Sequence, residues 1–392
     1  MNRTVESNIW KMYVIQALRW FMLIIPVLVL FFQENGLSLA QILLLQSIFS
    51  IIIVVLEIPS GYFSDRFGRK LSIILGVTLG FLGYLTYSFS FGFSGFLLAE
   101  ILLGVGASFV SGADSALIYD SLLQIQKQDQ YSKVEGRKIF AQSASEGVAS
   151  IIGGFLALIS LRTPIYFEAA ILFLAIPLTL SLVEPIKYKA SSTIGHFKNV
   201  LKIVKFSLHD HSEVKWLIIY SGVVGASGIS VVWFIQPYFQ LVGLPLVLFG
   251  VLWAALQFST AGTSLVAYKI EPWVGRKKGL ISLILLTSLA YFLISVFQSL
   301  WVISVIFIFY FVRGFKEPVI KDYVNKLIPS ESRATILSVK SMVARIIFSI
   351  TGPAMGWIAD IYTLQAAMFA AGITFLILGI IPLLYLKKYK VL

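Results

Sequence analysis

Residues 57–70, EIPSGYFSDRFGRK, bring acidic, basic and glycine residues together directly after an apolar run. Asp65 and Arg69 are four residues apart, the spacing at which two side chains on one helix can form an ion pair. The carboxylate of Asp65 can also accept hydrogen bonds from the N-terminus of a neighbouring helix. Gly61 permits the close approach of another helix, and Gly68 permits a tight reversal between two helices. We therefore expect a breakable electrostatic contact here. The alternative, that the charges only fix the membrane topology, explains the basic residues but not Asp65 or the glycines.

A second set of candidates consists of ionisable side chains inside apolar segments, where a charge is costly and therefore indicates function. Its members are Arg19, Glu57, Glu100, Asp114, Glu146, Arg313, Lys316, Glu317 and Arg345. A helical rise of about 1.5 Å per residue gives the depth of each residue. Those nearest the middle of their segments are Arg19, Glu146, Arg313 and Arg345. Asp114, Lys316 and Glu317 lie somewhat toward the cytoplasm, Glu57 lies in the inner part of its segment and Glu100 in the outer part. Three of them, Arg313, Lys316 and Glu317, are spaced i, i+3 and i+4 and share one helix face.

Basic residues near the middle of these segments outnumber acidic ones. The four basic residues are Arg19, Arg313, Lys316 and Arg345, and the three acidic ones are Asp114, Glu146 and Glu317. A surplus positive charge in a medium of low dielectric is costly unless an anion compensates it. We therefore expect an anionic or zwitterionic organic ligand, with one acid left to carry protons. Structural pairing, for example of Arg19 with Asp114, stays open as the alternative.

Aromatic and amide side chains accompany these charges in the second half of the chain. They are Trp233, Gln236, Gln257 and Tyr310. A polar and aromatic lining is typical of a site for an amphipathic organic molecule. Ordinary packing or anchoring at the membrane interface is the alternative reading of the same residues.

The composition is that of a membrane protein: 58% of the residues are hydrophobic, 13% are charged and the mean hydropathy is +0.88. Soluble domains carry about 25% charged residues. The absence of cysteine excludes disulfides and thiol catalysis, and the three histidines lie in one polar stretch, so we expect no metal site. The sequence has no P-loop and no G-x-G-x-x-G fingerprint, which argues against an enzyme, a cofactor or a nucleotide-driven pump. The net charge of +12 is explained by basic loops rather than by nucleic-acid binding.

Apolar runs predict twelve membrane-spanning helices and no cleavable signal peptide. The predicted spans are 9–32, 39–63, 71–91, 95–123, 137–160, 164–183, 214–240, 246–268, 279–297, 300–325, 334–358 and 364–386. Arg162 is the single basic residue in one set of alternate loops, which predicts both termini in the cytoplasm. Hydrophobic residues at helical spacing within 185–213 predict an amphipathic helix on the inner membrane surface, with a flexible linker as the alternative.

The two halves of the chain look like copies of one another. QENGLS at 33–38 is similar to QLVGLP at 240–245, and FGRK at 67–70 is similar to VGRK at 274–277, at the same offset along the chain. Parallel six-helix repeats are a transporter architecture with the substrate site between the halves. We expect a bundle over 1–184, the cytoplasmic linker 185–213 and a second bundle over 214–392.

The stretch G-Y-F-S-D-R-F-G-R-K at 61–70 resembles the signature loop of the major facilitator superfamily, G-x-x-x-D-R-x-G-R-[KR], at every fixed position. The resemblance implies an all-α integral membrane fold of two pseudo-symmetric six-helix bundles that transports by alternating access. It also implies that an acid at the cytoplasmic end of the fourth helix, here Asp120, completes a conformational latch. The latch residues are then Gly61, Asp65, Arg66, Gly68, Arg69, Lys70 and Asp120.

Several positions depart from the family pattern. Pro272 stands at the repeat equivalent of Asp65, with Glu271 beside it, so a weaker latch is expected in the second half. Glu100 occupies the place of the arginine in R-x-x-x-G-x-G, and ASIIGG at 149–154 lacks the Gly-Pro of many exporters. Both departures argue against a simple drug/proton antiporter.

From the residues and the resemblance together we expect a secondary transporter in the cytoplasmic membrane that exports a small organic molecule by proton coupling. Proton-coupled uptake of a solute such as a metabolite or siderophore is the alternative, and a non-transporting sensor is less favoured. The expected partners are a small-molecule substrate, protons and the lipid bilayer, with no nucleic acid, and the expected oligomeric state is a monomer.

Overall fold

The computed structural model describes residues 4–186, 211–328 and 333–389, and within these ranges the regular structure is helical. The all-α fold expected from the sequence is confirmed. The predicted surface helix within 185–213 falls largely outside the described residues.

Fourteen α-helices are numbered here in chain order. The first eight are α1 (Ser7–Arg19), α2 (Leu28–Glu34), α3 (Leu39–Phe67), α4 (Arg69–Phe89), α5 (Gly92–Val110), α6 (Ala113–Gln124), α7 (Tyr131–Leu156) and α8 (Thr163–Leu180). The others are α9 (Ser212–Leu241), α10 (Val247–Val274), α11 (Arg276–Val296), α12 (Ile303–Leu327), α13 (Arg333–Ile361) and α14 (Leu364–Lys388).

Ten helical segments of the described chain are long and apolar enough to cross a membrane. The first predicted span, 9–32, is not one continuous helix: α1 ends at Arg19, and residues 20–24 are non-helical before a 3-10 turn at Ile25–Val27 and α2. At the tenth predicted span lies α12, which carries several charged residues along its length. The count of twelve spans therefore stays a prediction.

The chain forms two compact units, and each is interrupted in the sequence. Unit 1 consists of Met1–Leu37, Ile48–Phe197 and Leu246–Ala254, and unit 2 consists of Ser38–Ser47, Lys198–Pro245 and Ala255–Leu392. In unit 2 the carboxylate of Asp360 accepts hydrogen bonds from the backbone N–H groups of Leu39 and Ala40 at 2.9 and 2.8 Å. This contact places the start of α3 in unit 2. The predicted domain limits at 1–184 and 214–392 stay a prediction.

The core of unit 1 joins α1, α4, α6, α7 and α8. Met12, Ile15, Leu117 and Ile118 are completely buried in one hydrophobic cluster. Helices α4 and α5 approach closely beside this cluster, because a Cβ added at Gly76 would lie 2.6 Å from the carbonyl oxygen of Gly106. Small residues allow such close helix packing inside a membrane.

The core of unit 2 is built around α9, the most deeply buried of the spanning helices within the described ranges. Helix α9 packs against α12, α13 and α14. Two buried tyrosines tie α9 to α11: Tyr291 donates a hydrogen bond to the carbonyl oxygen of Ser227 at 2.7 Å, and Tyr220 donates one to the carbonyl oxygen of Leu280. A polar group inside the membrane needs such a partner.

Candidate functional site

The predicted latch lies in unit 1 at the turn between α3 and α4. Gly68 connects the two helices with a φ of +118°, a conformation that favours glycine. The Arg69 guanidinium forms an ion pair with the Asp65 carboxylate, and its Nε lies 3.5 Å from Oδ2 of Asp120. The structure therefore brings together the arginine and both acids that the sequence singled out.

Glu184 belongs to this cluster and was missed in the sequence analysis. Its carboxylate accepts hydrogen bonds from the backbone N–H groups of Arg69 and Lys70, both at 2.7 Å, so it caps the N-terminus of α4. A Cβ added at Gly68 would lie 2.9 Å from this carboxyl group. The sequence feature that could have identified Glu184 is its position as an isolated acid directly after the sixth predicted span.

Two other latch residues lie at the side of the cluster. Among the residues that the structure describes, none would come within 4 Å of a Cβ added at Gly61, so the close helix approach expected at this glycine is not found there. The guanidinium of Arg66 donates to the Tyr62 hydroxyl at 3.0 Å on the exposed side of α3.

The equivalent turn of unit 2 is held together differently. Gly275 has a φ of +73° before α11, as Gly68 does before α4. The Tyr323 hydroxyl donates a hydrogen bond to Glu271, and the Arg276 guanidinium lies over the Tyr323 ring at 4.6 Å. A tyrosine therefore connects the acid and the arginine, whereas in unit 1 the arginine pairs with the acids directly.

A cavity of about 560 Å³ lies within unit 2, lined mainly by α9, α12 and α13. We call it the cationic cavity, because its charged lining side chains are Arg313, Lys316, Lys321, Lys340 and Arg345 with Glu317 as the acid. Its volume is in the range of sites for small organic ligands, roughly 300–1,000 Å³.

Glu317 bridges two lysines at the wall of the cationic cavity. Its carboxylate oxygens lie 3.0 Å from Nζ of Lys316 and 2.7 Å from Nζ of Lys340. The lysine side chains are 8% and 11% exposed, whereas that of Glu317 is 52% exposed. Gly225 makes room for the first of these ammonium groups, because an added Cβ would lie 3.2 Å from Nζ of Lys316.

Two buried hydrogen-bond donors also line the cationic cavity. The indole Nε1 of Trp233 and the hydroxyl of Ser221 have no hydrogen-bond partner within the described part of the chain. Both residues are more than nine-tenths buried. A buried donor without a partner is costly, and a bound ligand with acceptor oxygens would satisfy it.

Some of the substrate-site residues predicted from the sequence line the cationic cavity, and others do not. Trp233, Arg313, Lys316, Glu317 and Arg345 line it. Gln236, Gln257 and Tyr310 are not among its lining residues. Lys321 and Lys340 were missed, although Lys321 follows Glu317 by four residues and Lys340 lies inside the eleventh predicted span.

In unit 1, Asp114 is already compensated by a cation. Nζ of Lys138 lies 2.9 Å from Asp114 and 2.6 Å from Glu135, and this lysine side chain is 5% exposed. The alternative pairing of Asp114 with Arg19 is not the one observed, because Arg19 donates to the side-chain oxygen of Gln16 at 3.1 Å. Lys138 stands at the start of the predicted span 137–160 and was not counted among the charges near the middle of a segment, so the expected balance of buried charge omitted it.

The remaining predicted acids lie on separate helices of unit 1. Glu100 on α5 accepts a hydrogen bond from the Tyr87 hydroxyl at 2.6 Å, and Glu57 on α3 accepts one from Ser111 at 3.3 Å. Glu146 is buried on α7. Glu168 on α8 is 2% exposed and was missed, although an acid inside the sixth predicted span was visible in the sequence.

The family model described as the Major Facilitator Superfamily matches residues 9–350. The chain belongs to the Major Facilitator Superfamily. This finding confirms the resemblance carried by the 61–70 loop, and it makes the protein a multi-pass membrane transporter rather than an enzyme.

Curated members of the superfamily are similar in sequence to this facilitator. The Multidrug resistance protein 2 of Bacillus subtilis is 30% identical over 214 residues, which are 54% of this chain and 52% of that protein. The Quinolone resistance protein NorA of Staphylococcus aureus is 28% identical over 170 residues, 43% of each chain. The Uncharacterized MFS-type transporter YxaM of Bacillus subtilis is 24% identical over 93% of this chain and 92% of that one. The similarity thus spans about half of the two resistance proteins.

Solved structures of other facilitators share the fold. The nucleoside transporter NupG superposes with a TM-score of 0.78 at 14% identity, covering 99% of this chain and 100% of that one. A D-xylose-proton symporter gives a TM-score of 0.74 at 14% identity, with 97% of each chain covered. At such identities the likeness concerns the fold of this facilitator alone.

Proposed function

We propose that this facilitator exports a small, amphipathic organic anion or zwitterion across the cytoplasmic membrane in exchange for protons. The observation that carries the proposal is the cationic cavity of unit 2, whose lining holds five basic side chains and one carboxylate. Positive charges that are not balanced inside a membrane are costly, so an anionic ligand is the occupant that such a lining favours.

The apolar and hydrogen-bonding parts of the same lining support an amphipathic ligand. Trp233 and Phe309 supply aromatic surface, while the Trp233 N–H and the Ser221 hydroxyl supply donors. A carboxylate or phosphate on the ligand would accept hydrogen bonds from lysine or arginine, and its ring or chain would lie against the aromatic surface.

The relatives support export over uptake. Two of them are named for resistance to drugs or quinolones, and both align with this chain over about half of its length. Uptake of an organic anion with protons remains the second candidate, because a D-xylose-proton symporter shares the fold. Alternating access would break and remake the Arg69 contacts with Asp65 and Asp120 on the cytoplasmic side.

The test uses purified protein in liposomes that contain a pH-sensitive dye. A proton gradient is imposed, and pooled organic acids, zwitterions and lipophilic cations are offered in turn. We expect acids or zwitterions to move protons, with the direction of movement distinguishing exchange from cotransport. The Lys340→Met variant should weaken this response at least about tenfold, because a hydrogen bond to a charged group contributes about 1.5–3 kcal/mol.

Asp322→Asn is the matched control, since this acid lies on α12 as well but forms an exposed pair with Lys326. Its response should equal that of the wild type. A response to lipophilic cations alone would contradict the proposed substrate class. Substrate flux without proton movement would contradict the proposed coupling while leaving the cavity as the substrate site.

A further inference from the structure

We propose that Glu168 is a proton-binding residue of unit 1, at the break between α1 and α2. The proposal rests on the proton coupling of the proposed function and goes beyond it by assigning the group that carries the proton. Glu168 lies on α8 and is 2% exposed. Its Oε2 accepts a hydrogen bond from the backbone N–H of Ile24 at 3.1 Å, and the Tyr84 side chain on α4 lies beside the same carboxyl group.

The partners of Glu168 carry no charge. Within the described ranges no salt bridge reaches this carboxyl group, whereas Asp114 has Lys138 and Glu317 has two lysines. Burying an ionised carboxylate without a cation is costly, so this site favours the protonated form more than an exposed site does. Asp114 and Glu317 are already engaged in ion pairs, so a proton on either acid would replace an existing contact with lysine.

Both protonation states of Glu168 can be satisfied without rebuilding the site. A carboxylate accepts from the Ile24 N–H and can also accept from the nearby Tyr84 hydroxyl. A carboxylic acid still accepts from the Ile24 N–H, and its own O–H can donate to Tyr84, because a phenolic hydroxyl both donates and accepts. A purely structural cap of the broken helix would need only the acceptor.

Other titratable groups surround the pair from the neighbouring helices. Tyr87 on α4 donates to Glu100 on α5 at 2.6 Å, and the rings of Tyr84 and Tyr87 are 6.3 Å apart. Arg19 ends α1 and acts on Tyr84 through its charge.

The broken helix supplies the link between the proton and the conformation. A charged carboxylate binds a backbone N–H more strongly than a neutral acid does. Release of the proton would therefore tighten the hold of Glu168 on Ile24, and uptake would loosen it. The non-helical segment packs against α7 at Gly153, where an added Cβ would lie 1.8 Å from the carbonyl oxygen of Leu23. The break is thus held from two helices.

Two variants separate a proton-binding role from a structural one. Glu168→Gln keeps an oxygen for the Ile24 N–H and a polar contact for Tyr84, but it cannot bind or release a proton. Glu168→Ala removes the acceptor as well. If Glu168 only caps the break, the glutamine variant should behave as the wild type and the alanine variant should fail to fold.

The first readout is infrared spectroscopy of the reconstituted protein in H₂O and D₂O, which detects the C=O band of a protonated carboxyl group without any substrate. We expect such a band in the wild type and in Asp114→Asn, and its loss in Glu168→Gln. A spectrum that the Glu168→Gln substitution leaves unchanged would overturn the proposal.

The second readout is transport in liposomes with the organic anion found in the screen. In Glu168→Gln the rate of proton-driven transport should fall at least about tenfold. Substrate exchange with equal pH on both sides of the liposome membrane should continue. Wild-type proton coupling that survives in this variant would overturn the role of Glu168 and leave the proposed function intact. If the wild type moves substrate without protons, the proposed coupling itself fails, and the carrier role of Glu168 fails with it.

Discussion

Nζ of Lys340 on α13 lies 2.7 Å from Oε2 of Glu317 on α12, and Lys316 approaches the other oxygen of the same carboxylate at 3.0 Å. One partly exposed acid therefore pairs with two buried lysines in the wall of the cationic cavity and leaves one positive charge in excess. An anionic ligand that binds these lysines has to compete with Glu317 for them. The arrangement makes the acid an internal substitute for the ligand when the cavity is empty.

Replacing Glu317 by glutamine should have opposite effects on binding and on stability. The affinity for organic anions should rise about five- to tenfold, because the competing charge is removed, while the empty protein should lose about 1–3 kcal/mol of stability with two uncompensated lysines. Calorimetric titration and thermal unfolding in detergent measure the two effects. Asp322→Asn should change neither, and weaker anion binding by Glu317→Gln would disprove the competition.

Substitution by alanine should impair folding at Gly153 and leave it unchanged at Gly61. At Gly153 an added Cβ would lie 1.8 Å from the Leu23 carbonyl oxygen, so Gly153→Ala must displace the broken helix and should strongly reduce folded protein. At Gly61 an added Cβ meets nothing within 4 Å, so Gly61→Ala should fold normally. Size-exclusion profiles and thermal unfolding in detergent distinguish the variants. Equal profiles would show that the break can move freely.

Arg162 should be important for the stability of unit 1. Its guanidinium donates to the carbonyl oxygens of Tyr87, Ser88 and Ser90 at 3.2, 3.0 and 2.9 Å and to the side chain of Asn35 at 2.7 Å. It thereby satisfies the last carbonyl groups of α4. Arg162→Ala should cost about 2–4 kcal/mol, and Arg162→Lys should recover only part of this, because one ammonium cannot reach all four acceptors.

The exposed Lys127, which pairs with Glu6, provides the control for this experiment. Lys127→Ala should change the unfolding midpoint little, because exposed ion pairs contribute about 0–1 kcal/mol. A midpoint for Arg162→Ala that matches this control would mean that water replaces the lost contacts without cost.

Substitutions of Asp120 in the latch and of Glu184 at the N-terminus of α4 should affect different properties of the protein. Asp120→Asn weakens the contact of Arg69 across unit 1, so we expect slower transport with ligand affinity unchanged. Glu184→Gln removes the charge at the N-terminus of α4 and should lower stability by about 1 kcal/mol. Transport rates and binding constants measured on the same preparations test both. A loss of ligand binding in Asp120→Asn would place this acid in the substrate site instead.

Membrane orientation can be tested directly, because the sequence contains no cysteine. Single cysteines at the exposed positions Lys133 and Ile159 would report on opposite sides of the membrane. With both termini in the cytoplasm, a membrane-impermeant maleimide should label Ile159→Cys in intact cells and Lys133→Cys only after permeabilisation. The reverse pattern would invert the predicted topology.

The fold could be predicted because its signals are local. Long apolar runs give the spanning helices, and the 61–70 loop carries its glycines and charges within ten residues. Asp65 and Arg69 are one helical turn apart, so their contact follows from spacing alone. The position of Asp120 beside them came from the family pattern, since no spacing within the chain fixes it.

The partners of buried charges could not be predicted in the same way. Lys138, Lys340 and Glu184 each meet their acid or amide partner through contacts between distant parts of the chain. The break after Arg19 was missed for a related reason, because residues 9–32 form one predominantly apolar run and hydropathy does not register an unwound backbone. What identifies the break is the acceptor that Glu168 provides for Ile24.

The break in the first helix has a consequence for how the protein is made. Ile24 and Glu168 are 144 residues apart in the chain, so the ribosome delivers the first segment long before its acceptor exists. Lipid tails provide no hydrogen-bond acceptor for a backbone N–H. An apolar segment in a bilayer therefore forms all of its backbone hydrogen bonds only as a continuous helix. We therefore expect residues 9–32 to integrate as one unbroken helix and to unwind later, when α7 and α8 dock. The mature conformation of the first segment is then acquired during assembly and not at insertion.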